Sequence, residues 1–326
     1  MKNIGLVGVP FSGKSTLFTA LTHAGAKGGH ANQAVVPVPD PRVEALAEID
    51  RSKRAAHAQV RFVDVPGGTS SAHGIGQLRE TDALCLVIRC FGPDAKPAAE
   101  LADVTADLVL ADVAVIEPAL EKAEKHSRGK PSQEEVGALR RARDALSAET
   151  LLRDAGLAQE ELTHLRPFAP LTLKPWVVVA NLEEGAAVPS DLPDGTVGVW
   201  AEIEAETAEM DAEEARALLD EFGVHEPGLE KVVHGCYRAL DLISFLTGGP
   251  EEAHAWEVRR GAKAPEAAGM IHTDMERGFI RAEVIPFDDL VAAGSMDAAK
   301  HKGLVRVEGK DYVVQEGDVV HVRFAV

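Results

Sequence analysis

The residues with the clearest chemical meaning form a glycine-rich loop near the amino terminus. The loop GVPFSGKS, residues 8–15, follows the apolar run IGLV and precedes a helix-forming stretch. Its G-x-x-x-x-G-K-S spacing between a strand and a helix is the P-loop pattern. The glycines let the backbone turn its amide groups toward phosphate oxygens, and the helix N-terminus adds positive potential. We therefore predict a phosphate cradle, the alternative being a plain glycine turn.

Within this loop, two side chains have defined chemistry. Lys14 would reach the β- and γ-phosphates of a nucleotide, and Ser15 would ligate Mg²⁺. The predicted nucleotide-contacting residues of the loop are Gly8, Pro10, Phe11, Ser12, Gly13, Lys14, Ser15 and Thr16.

A second group of chemical residues is Asp64-Val65-Pro66-Gly67, which follows the apolar segment VRFV. Asp64 would hold the Mg²⁺ shell through water, and the Gly67 amide would sense the γ-phosphate, as in nucleotide switches. Lys14, Asp64 and Gly67 form the predicted catalytic set. A strand-end turn is the alternative for D-x-x-G, but a P-loop one strand earlier favours the functional interpretation.

The third group, Asn181-Leu182-Glu183-Glu184, ends the apolar run WVVVA. GTP-specific proteins carry N-K-x-D here, and the aspartate accepts two hydrogen bonds from guanine. In this chain leucine replaces the lysine and Glu184 displaces the carboxylate by one methylene. Because losing a matched polar contact strongly changes discrimination, we expect Asn181, Leu182 and Glu184 to contact adenine in preference to guanine. The alternative is an ordinary acidic turn, with the base contacts elsewhere.

The hydrophobic pattern predicts the elements that must position these groups. Continuous apolar runs are typical of strands buried in a parallel sheet, and the predicted ones are Lys2–Val7, Val60–Gly67, Ala83–Phe91, Pro175–Leu182 and Val197–Trp200. Helical patterns cover Ser15–Thr22, Val43–Asp50, Ile203–Phe222 and Glu226–Ile243. Residues 98–165 are helical and charged, with a break at Gly129–Ser132.

The tail from Ala253 to Val326 differs from the preceding chain, because apolar and polar residues alternate there with the period of strands. In open parallel sheets, ligands bind beyond the carboxyl ends of the strands. Gly13, Asp64 and Asn181 each follow such an end, so we predict that they line one pocket.

Composition limits the function further. The chain has 326 residues and a net charge of −18, which disfavours general nucleic-acid binding. We expect no DNA partner, and any RNA contact would need a local basic face. No apolar run reaches the roughly 18 residues of a membrane span, and the start MKNIGLVG passes directly into a strand, so we predict a cytoplasmic protein without a membrane partner. Cys85, Cys90 and Cys236 lack metal-site spacing and are predicted to be free thiols.

Three weaker candidates remain. His73, in the loop after Gly67, could approach a γ-phosphate, although a solvated loop histidine is the commoner case. The run Arg140–Arg143 and the cluster Arg259, Arg260 and Lys263 could face RNA, although a solvated basic surface is the alternative for both.

Longer segments resemble the Obg-like ATPase (YchF) family of translation-factor-related P-loop NTPases. The resemblance covers nearly the whole chain and rests on VVPVPDPR, RETDALCLVIRCF, LTLKPWVVVANLEE, HEPGLEKV and, most specifically, AAGMIHTDMERGFIRAEVI. The last segment is similar to TGS domains, which are ubiquitin-like β-grasp modules. The resemblance implies preference for ATP over GTP, a helical hairpin inserted in the NTPase core, and contact with the ribosome or ribosomal RNA through the insert and the TGS domain.

The predicted fold is therefore α/β, with a P-loop NTPase core containing a mostly parallel sheet, an inserted helical hairpin and a C-terminal β-grasp domain. The predicted boundaries are 1–97 and 166–240 for the core, 98–165 for the insert and 241–326 for the TGS-like domain.

The chain also departs from the family at residues that assist hydrolysis. The family carries asparagine where this chain has Phe11; that asparagine helps to hold potassium in related proteins, so Phe11 argues against a potassium cofactor. The segment 24–33 is shortened and lacks the threonine expected to reach Mg²⁺. The loop after Gly67 is also shortened, and Gly68 has no side chain to position water.

Two functions remain open at this point. The first is a slow, Mg²⁺-dependent ATPase that acts as a switch, with GTP bound more weakly. The second is a degenerate nucleotide-binding adaptor with little or no hydrolysis. A small-molecule phosphotransferase ranks last because no arginine-rich lid follows the core.

Overall fold

The computed structural model describes residues 1–23, 32–65, 67–125, 132–207, 210–221 and 227–325. The chain forms two compact units. The NTPase unit contains Lys2–Val35 and Arg61–Val232, and the β-grasp unit contains Met1, Val36–Val60 and Val233–Val326. Within the described ranges, no helix combines the length and the apolarity that crossing a membrane requires.

Strands and helices alternate over residues 2–50, whereas three α-helices follow one another between residues 97 and 165. The strands are β1 (Lys2–Val7), β2 (Gln33–Pro37), β3 (Ala55–Ala56), β4 (Gln59–Asp64), β5 (Ala83–Cys90), β6 (Trp176–Leu182), β7 (Val197–Val199), β8 (Leu242–Thr247), β9 (Ala253–Arg259), β10 (Phe279–Pro286), β11 (Arg306–Glu308) and β12 (Asp318–Phe324). The helices are α1 (Lys14–His23), α2 (Pro41–Asp50), α3 (Ala72–Arg79), α4 (Pro97–Lys125), α5 (Gln133–Ser147), α6 (Gln159–Leu165), α7 (Ala201–Thr207), α8 (Ala212–Glu221), α9 (Gly228–Ala239), α10 (Ala264–Ile271), α11 (Thr273–Arg277), α12 (Phe287–Ala293) and α13 (Met296–His301).

The first sheet has the strand order β2-β4-β1-β5-β6-β7. Strands β1, β5, β6 and β7 pair in parallel, so their carboxyl ends lie at one edge. The first six residues of β5 are buried because helices cover both faces of a parallel sheet. This sheet is the α/β core predicted from the apolar runs.

The helical insert is built around the long helix α4, which packs against α5. Aliphatic side chains spaced along the two helices form a separate apolar core, which includes Ile116, Leu120, Leu139 and Leu146. Ser132 begins α5 by accepting a hydrogen bond from the Glu135 amide at 3.1 Å. The predicted break at Gly129–Ser132 lies largely outside the described residues.

The second sheet, in the β-grasp unit, has the order β11-β10-β12-β8-β9-β3. Strands β8 and β9 form an antiparallel hairpin, β12 runs parallel to β8, and β10 is antiparallel to β12. Helix α10 covers one face of this sheet, where Phe245, Val258, Ala268 and Val284 are buried together. This arrangement is the predicted β-grasp fold.

Two sequence predictions for the C-terminal half were wrong. The helix predicted to reach Ile243 ends at Ala239, because Asp241 has a left-handed backbone (φ 53°) and the next residues enter β8. The tail also contains four helices besides its strands. The segment APEAAGMI forms α10 because a proline in the first turn and several alanines favour a helix over the strand pattern.

Other boundaries also changed. The strand predicted over Val60–Gly67 ends at Asp64, and the helix predicted over 203–222 is divided into α7 and α8. His73 lies on α3, not in a loop, because Ser71 caps that helix by accepting from the Gly74 amide at 3.0 Å. A third helix, α6, follows the two predicted in the insert.

The boundaries predicted for the three domains remain a prediction. Residues 36–60, which they assign to the NTPase core, cluster with the C-terminal residues in the β-grasp unit. The helical insert belongs to the same compact unit as the NTPase core.

Candidate nucleotide site

The P-loop joins the end of β1 to the start of α1. The Ser12 amide donates to the Val9 carbonyl at 3.2 Å, and Gly13 has a positive φ of 83°, which favours glycine. A Cβ added at Gly8 would lie 2.5 Å from Ser12 Oγ and 2.6 Å from the Val87 carbonyl. Gly8 is therefore required because a side chain there would clash, and Gly13 is required because of its left-handed backbone.

The polar side chains of the loop fit a magnesium triphosphate. Ser12 is 1% exposed, and within the described part of the chain its Oγ has no hydrogen-bond partner. Ser15 is exposed at the start of α1, where the free amides favour anions, Thr16 is half-buried and Pro10 is exposed. Ser15 and Asp64 therefore fit the role of Mg²⁺ ligands, the latter through water.

Phe11 is unusual among the loop residues. Its side chain is 89% exposed and its φ is 68°, a left-handed conformation that is uncommon outside glycine. An exposed aromatic ring on strained backbone contributes nothing to a core. It also offers no oxygen to a cation.

Lys14 and Asp64 are joined directly, since the ammonium of Lys14 is ion-paired with Oδ1 of Asp64. Both side chains are mostly buried, so neither charge is fully solvated. A triphosphate that bound Lys14 would compete with this carboxylate. The pair brings the first two predicted catalytic residues together.

Gly67 and Gly68 form a tight turn after β4. Both have positive φ values, of 73° and 45°, and the Gly68 amide donates to the Val65 carbonyl at 3.0 Å. Pro66, between Val65 and Gly67, lies outside the described residues. The turn leads into α3, on which His73 is exposed to solvent.

Asn181 links the third motif to the P-loop. Its Nδ2 donates to the Ser12 carbonyl at 3.1 Å, and the residue is 6% exposed. A Cβ at Gly13 would overlap this amide nitrogen. Leu182 packs in the apolar core of the first sheet, whereas Glu184 is exposed. The structure thus brings Asn181 and the P-loop together, while Leu182 points away into the core.

Two residues at this sheet edge were missed by the sequence analysis. Phe91 follows β5, and its ring lies 3.7 Å from a Cβ built at Gly13. Trp200 follows β7, next to the position where Val199 pairs with Asn181. Both residues directly follow buried strands. Because ligands bind beyond the carboxyl ends of such strands, that position in the sequence could have indicated them.

The turn after Gly67 is tied to the helical insert. Thr69 Oγ1 donates to Asp107 Oδ2 on α4 at 2.6 Å. At the other end of α3, Arg79 Nη1 donates to Asp112 at 2.9 Å, and Asp112 is fully buried. Asp112 also accepts from the Leu171 and Thr172 amides at 2.9 and 2.8 Å. Thr69 and Arg79 lie at the two ends of the segment that would respond to the γ-phosphate. Both ends of this segment therefore contact α4.

The basic clusters seen in the sequence are largely neutralised. In the insert, Arg140 and Arg141 pair with Glu124 and Glu161, each at 2.6 Å. Arg143 pairs with its neighbour Asp144 at 2.7 Å.

In the β-grasp unit, two of the three basic residues of the cluster are neutralised, and Arg259 has no ion pair among the described residues. Arg260 pairs with Asp241 at 3.2 Å, and Lys263 pairs with Asp311 at 2.7 Å.

The three cysteines are free, as predicted. Burial, together with the charge of Glu100, raises the pKa of the Cys90 thiol to about 11. Cys90 is therefore protonated near neutral pH and is a poor nucleophile. In the described residues, no group of three or more histidine, cysteine or acidic side chains could hold a metal ion.

Comparison with known proteins identifies the family. A family model described as "50S ribosome-binding GTPase" matches residues 3–122, and the model YchF-GTPase_C, described as "Protein of unknown function (DUF933)", matches residues 242–325. A Haemophilus influenzae protein named "Ribosome-binding ATPase YchF" is 39% identical, with 99% of each chain covered. The chain belongs to the YchF family.

Other members agree with this assignment. The Bacillus subtilis protein of the same name is 36% identical over 99% of each chain. The solved structure of the Schizosaccharomyces pombe YchF GTPase has a TM-score of 0.88 and 26% identity, and covers 99% of this chain and 97% of that one. The alignment with the H. influenzae member extends over 358 positions, more than the 326 residues present here, so this chain is shorter than that relative.

Proposed function

We propose that this chain is a Mg²⁺-dependent ATPase of the YchF family that turns over slowly and acts as a nucleotide switch linked to the ribosome. The observation that carries the proposal is the meeting of three distant motifs at one sheet edge. Lys14 is ion-paired with Asp64, and Asn181 is hydrogen-bonded to Ser12 of the P-loop. The names of the relatives support the ribosomal link and the choice of ATP.

The proposed roles follow from the positions of the groups. The P-loop amides and Lys14 hold the phosphates, and the Gly67 amide responds to the γ-phosphate. Mg²⁺, held by Ser15 and by Asp64 through water, would neutralise charge on the phosphate oxygens. Glu184 sets the base preference, and the main role of Asn181 is to hold the loop.

Slow turnover is supported by two positions in the site whose residues cannot assist the attack of water. Gly68 follows the γ-phosphate sensor and has no side chain, and Phe11 offers no oxygen to a potassium ion. The Thr69–Asp107 hydrogen bond supports the switch, because a change at Gly67 would alter a contact on α4.

Binding titrations test the proposal directly. Purified protein is titrated with ATP and with GTP, each with Mg²⁺, and we expect ATP to bind more tightly. The Lys14→Ala variant should bind neither nucleotide well, because it loses a direct phosphate contact. Glu184→Asp, which restores the shorter carboxylate, should raise affinity for GTP relative to ATP. Tighter binding of GTP by the parent protein would overturn the base assignment.

A second measurement addresses turnover. Phosphate release above background, abolished by Lys14→Ala and unchanged when Na⁺ replaces K⁺, is the expected result. Stimulation by K⁺ would contradict the role given to Phe11.

The adaptor is the second candidate, and the exposed, strained Phe11 favours it. It predicts ATP binding without phosphate release above that of Lys14→Ala.

A further inference from the structure

Strand β11, the segment Arg306–Glu308, lies at one end of the second sheet. Among the described residues, β10 is the one strand that pairs with it, so one side of β11 is free. The free side of an edge strand presents backbone N–H and C=O groups that another chain can use. The direction of these groups and the sequence Arg-Val-Glu determine which chain that could be.

The hydrogen bonds of the sheet show which way the backbone of β10 points. The Phe287 amide donates to the Gly317 carbonyl at 3.0 Å, in the same register as the β10–β12 pairs. Hydrogen-bonded and non-hydrogen-bonded pairs alternate along antiparallel strands. Counting back from Phe287, every second residue therefore bonds to β12, and Glu283 is one of them. The β10 residues between them direct their N–H and C=O groups to β11.

Val307 is consequently the residue of β11 whose backbone faces outward. It lies opposite Glu283, whose backbone groups bond to β12, whereas Arg306 and Glu308 lie opposite the β10 residues that bond to β11. The N–H and the C=O of Val307 thus point away from the sheet, toward the free edge. Val307 is also 64% exposed, so the fold encloses neither its backbone nor its side chain.

Arg306 and Glu308 lie on the face of the sheet that α10 covers. They pair with Val284 and Ala282, which are buried in the core under that helix. Arg306 Nη2 donates to the Tyr312 hydroxyl at 3.0 Å, and its Nη1 lies 3.6 Å from Glu308 Oε1, which is too far for a good hydrogen bond. The Arg306 guanidinium is about half exposed and keeps donors for a further carboxylate.

The sequence Arg-Val-Glu is self-complementary when two copies of β11 run antiparallel. A two-fold axis at Val307 places this residue opposite its equivalent, and each N–H can donate to the other C=O. The same axis places Arg306 opposite Glu308 of the second copy, twice. Opposite charges in directly opposed positions stabilise an antiparallel pair. A parallel arrangement in register would oppose Arg306 to Arg306, so the charges select the antiparallel one.

We propose that β11 binds β11 of a second copy of this chain, so that two β-grasp sheets join edge to edge around a two-fold axis. The contact consists of two backbone hydrogen bonds at Val307 and two ion pairs between Arg306 and Glu308. It is much smaller than a standard protein interface of about 1,600 Å², so we expect a weak dimer with a Kd on the order of 10–100 μM. Each chain has a net charge of −18, which opposes association at low salt.

Sedimentation velocity of the full chain, at about 0.15 M salt to screen this repulsion, tests the proposal. The parent should change from monomer to dimer as its concentration rises through the expected Kd. Arg306→Glu and Glu308→Arg each place like charges opposite one another in both ion-pair positions, so each should weaken the dimer at least about tenfold. Arg259→Glu is the matched control, because Arg259 is exposed at the end of β9 and three strands separate β9 from β11.

An equimolar mixture of the two single variants tests the pairing itself. In the mixed dimer, a strand with two acidic side chains meets a strand with two basic ones, so opposite charges face each other at both positions. We expect the mixture, and the double variant Arg306→Glu/Glu308→Arg, to dimerise as the parent does. Recovery in the mixture also shows that both single variants are folded, because an unfolded chain could not restore the dimer.

Val307→Pro tests the backbone hydrogen bonds separately. Proline removes the N–H that points outward and no hydrogen bond to β10, because β10 does not use the backbone groups of Val307. We expect Val307→Pro to remain monomeric and Val307→Thr, which keeps the N–H, to dimerise as the parent does.

Four results would overturn the proposal: a parent that stays monomeric well above about 100 μM, equal weakening by Arg259→Glu, no recovery in the mixture, or a dimer that survives Val307→Pro. A dimer that none of the β11 variants changes would assign self-association to another surface.

Discussion

The hydrogen bond between Asn181 and Ser12 makes a prediction that separates two roles of one side chain. Asn181 was predicted to read adenine, yet its amide nitrogen donates to the P-loop carbonyl of Ser12. If its main role is to hold the loop, Asn181→Ala should weaken ATP and GTP by the same factor. If its main role is base recognition, the loss should fall on ATP alone. We expect the common loss.

The magnitude follows from the burial of both partners. A typical intramolecular hydrogen bond contributes about 0.5–1.5 kcal/mol net, and leaving a buried acceptor unsatisfied costs about 1–3 kcal/mol. Ser12 is 1% exposed and Asn181 is 6% exposed, so the Ser12 carbonyl has little access to water. We therefore expect Asn181→Ala to lose about 1.5–3 kcal/mol of binding free energy for each nucleotide, because the loop must be reordered when the nucleotide binds. This corresponds to about 10- to 150-fold in affinity.

Isothermal titration of Asn181→Ala with Mg-ATP and Mg-GTP measures the effect. Glu183→Ala is the matched control, because Glu183 is an exposed residue of the same segment. This variant should bind both nucleotides as the parent does. A variant that lost ATP affinity but kept GTP affinity would refute the loop-holding role. An unchanged affinity for both nucleotides would refute any role in the site.

Three further predictions concern the contacts around the site. Thr69→Val removes the hydroxyl that donates to Asp107 and should cut the ATP-dependent hydrogen-exchange protection of α4 by roughly half, with ATP affinity unchanged, because this contact links the turn to the insert. Asp112→Ala leaves Arg79 and two amides without their buried partner, so denaturant unfolding should show a loss of about 3–5 kcal/mol. Burial raises the pKa of Glu204 above 4.5, although backbone amides oppose the shift. The folded state thus binds the proton more tightly than the unfolded state. The free energy of unfolding of the parent, relative to that of Glu204→Gln, should therefore fall as pH rises above 4.5.

Matched variants keep these predictions specific. Thr105→Val removes another hydroxyl from the neighbourhood, one that bonds only within α4, and should leave ATP-dependent protection intact. Asp103→Ala, an exposed residue of α4, should leave stability within about 0.5 kcal/mol of the parent. Equal effects in a variant and its control would show that the contact has no special role. A pH-independent stability difference would show that the pKa of Glu204 is the same in the folded and the unfolded protein.

The sequence predicted the elements whose pattern is local. Lys2–Val7 was predicted to the residue, because the apolar run IGLV is short and is followed at once by the glycine-rich loop. The P-loop, Asp64 and Asn181 were found because short motifs depend on spacing along the chain. The helix predicted through Ile243 failed because Leu242 and Ile243 are apolar in either structure, and only pairing with β9 makes them a strand.

The candidate site shows the same division. Lys14, Asp64 and Asn181 were assigned from motifs, whereas the Asn181–Ser12 and Thr69–Asp107 contacts join residues whose separation in sequence hides the pairing. Phe91 and Trp200 escaped notice because no motif marks them.

By itself, the sequence determined the phosphate loop, the buried strands that place the chemical residues, and membership of a P-loop family, since each depends on neighbouring residues. Only the tertiary structure decided which charges remain uncompensated. Arg140–Arg143 is a conspicuous basic run, but acids on other segments pair with Arg140 and Arg141, and Arg143 pairs with its neighbour Asp144. Arg281 and Arg323 are far apart in sequence and inconspicuous, yet strand register sets them opposite one another. Electrostatic energy depends on distance in space, and the register of a sheet is what sets that distance.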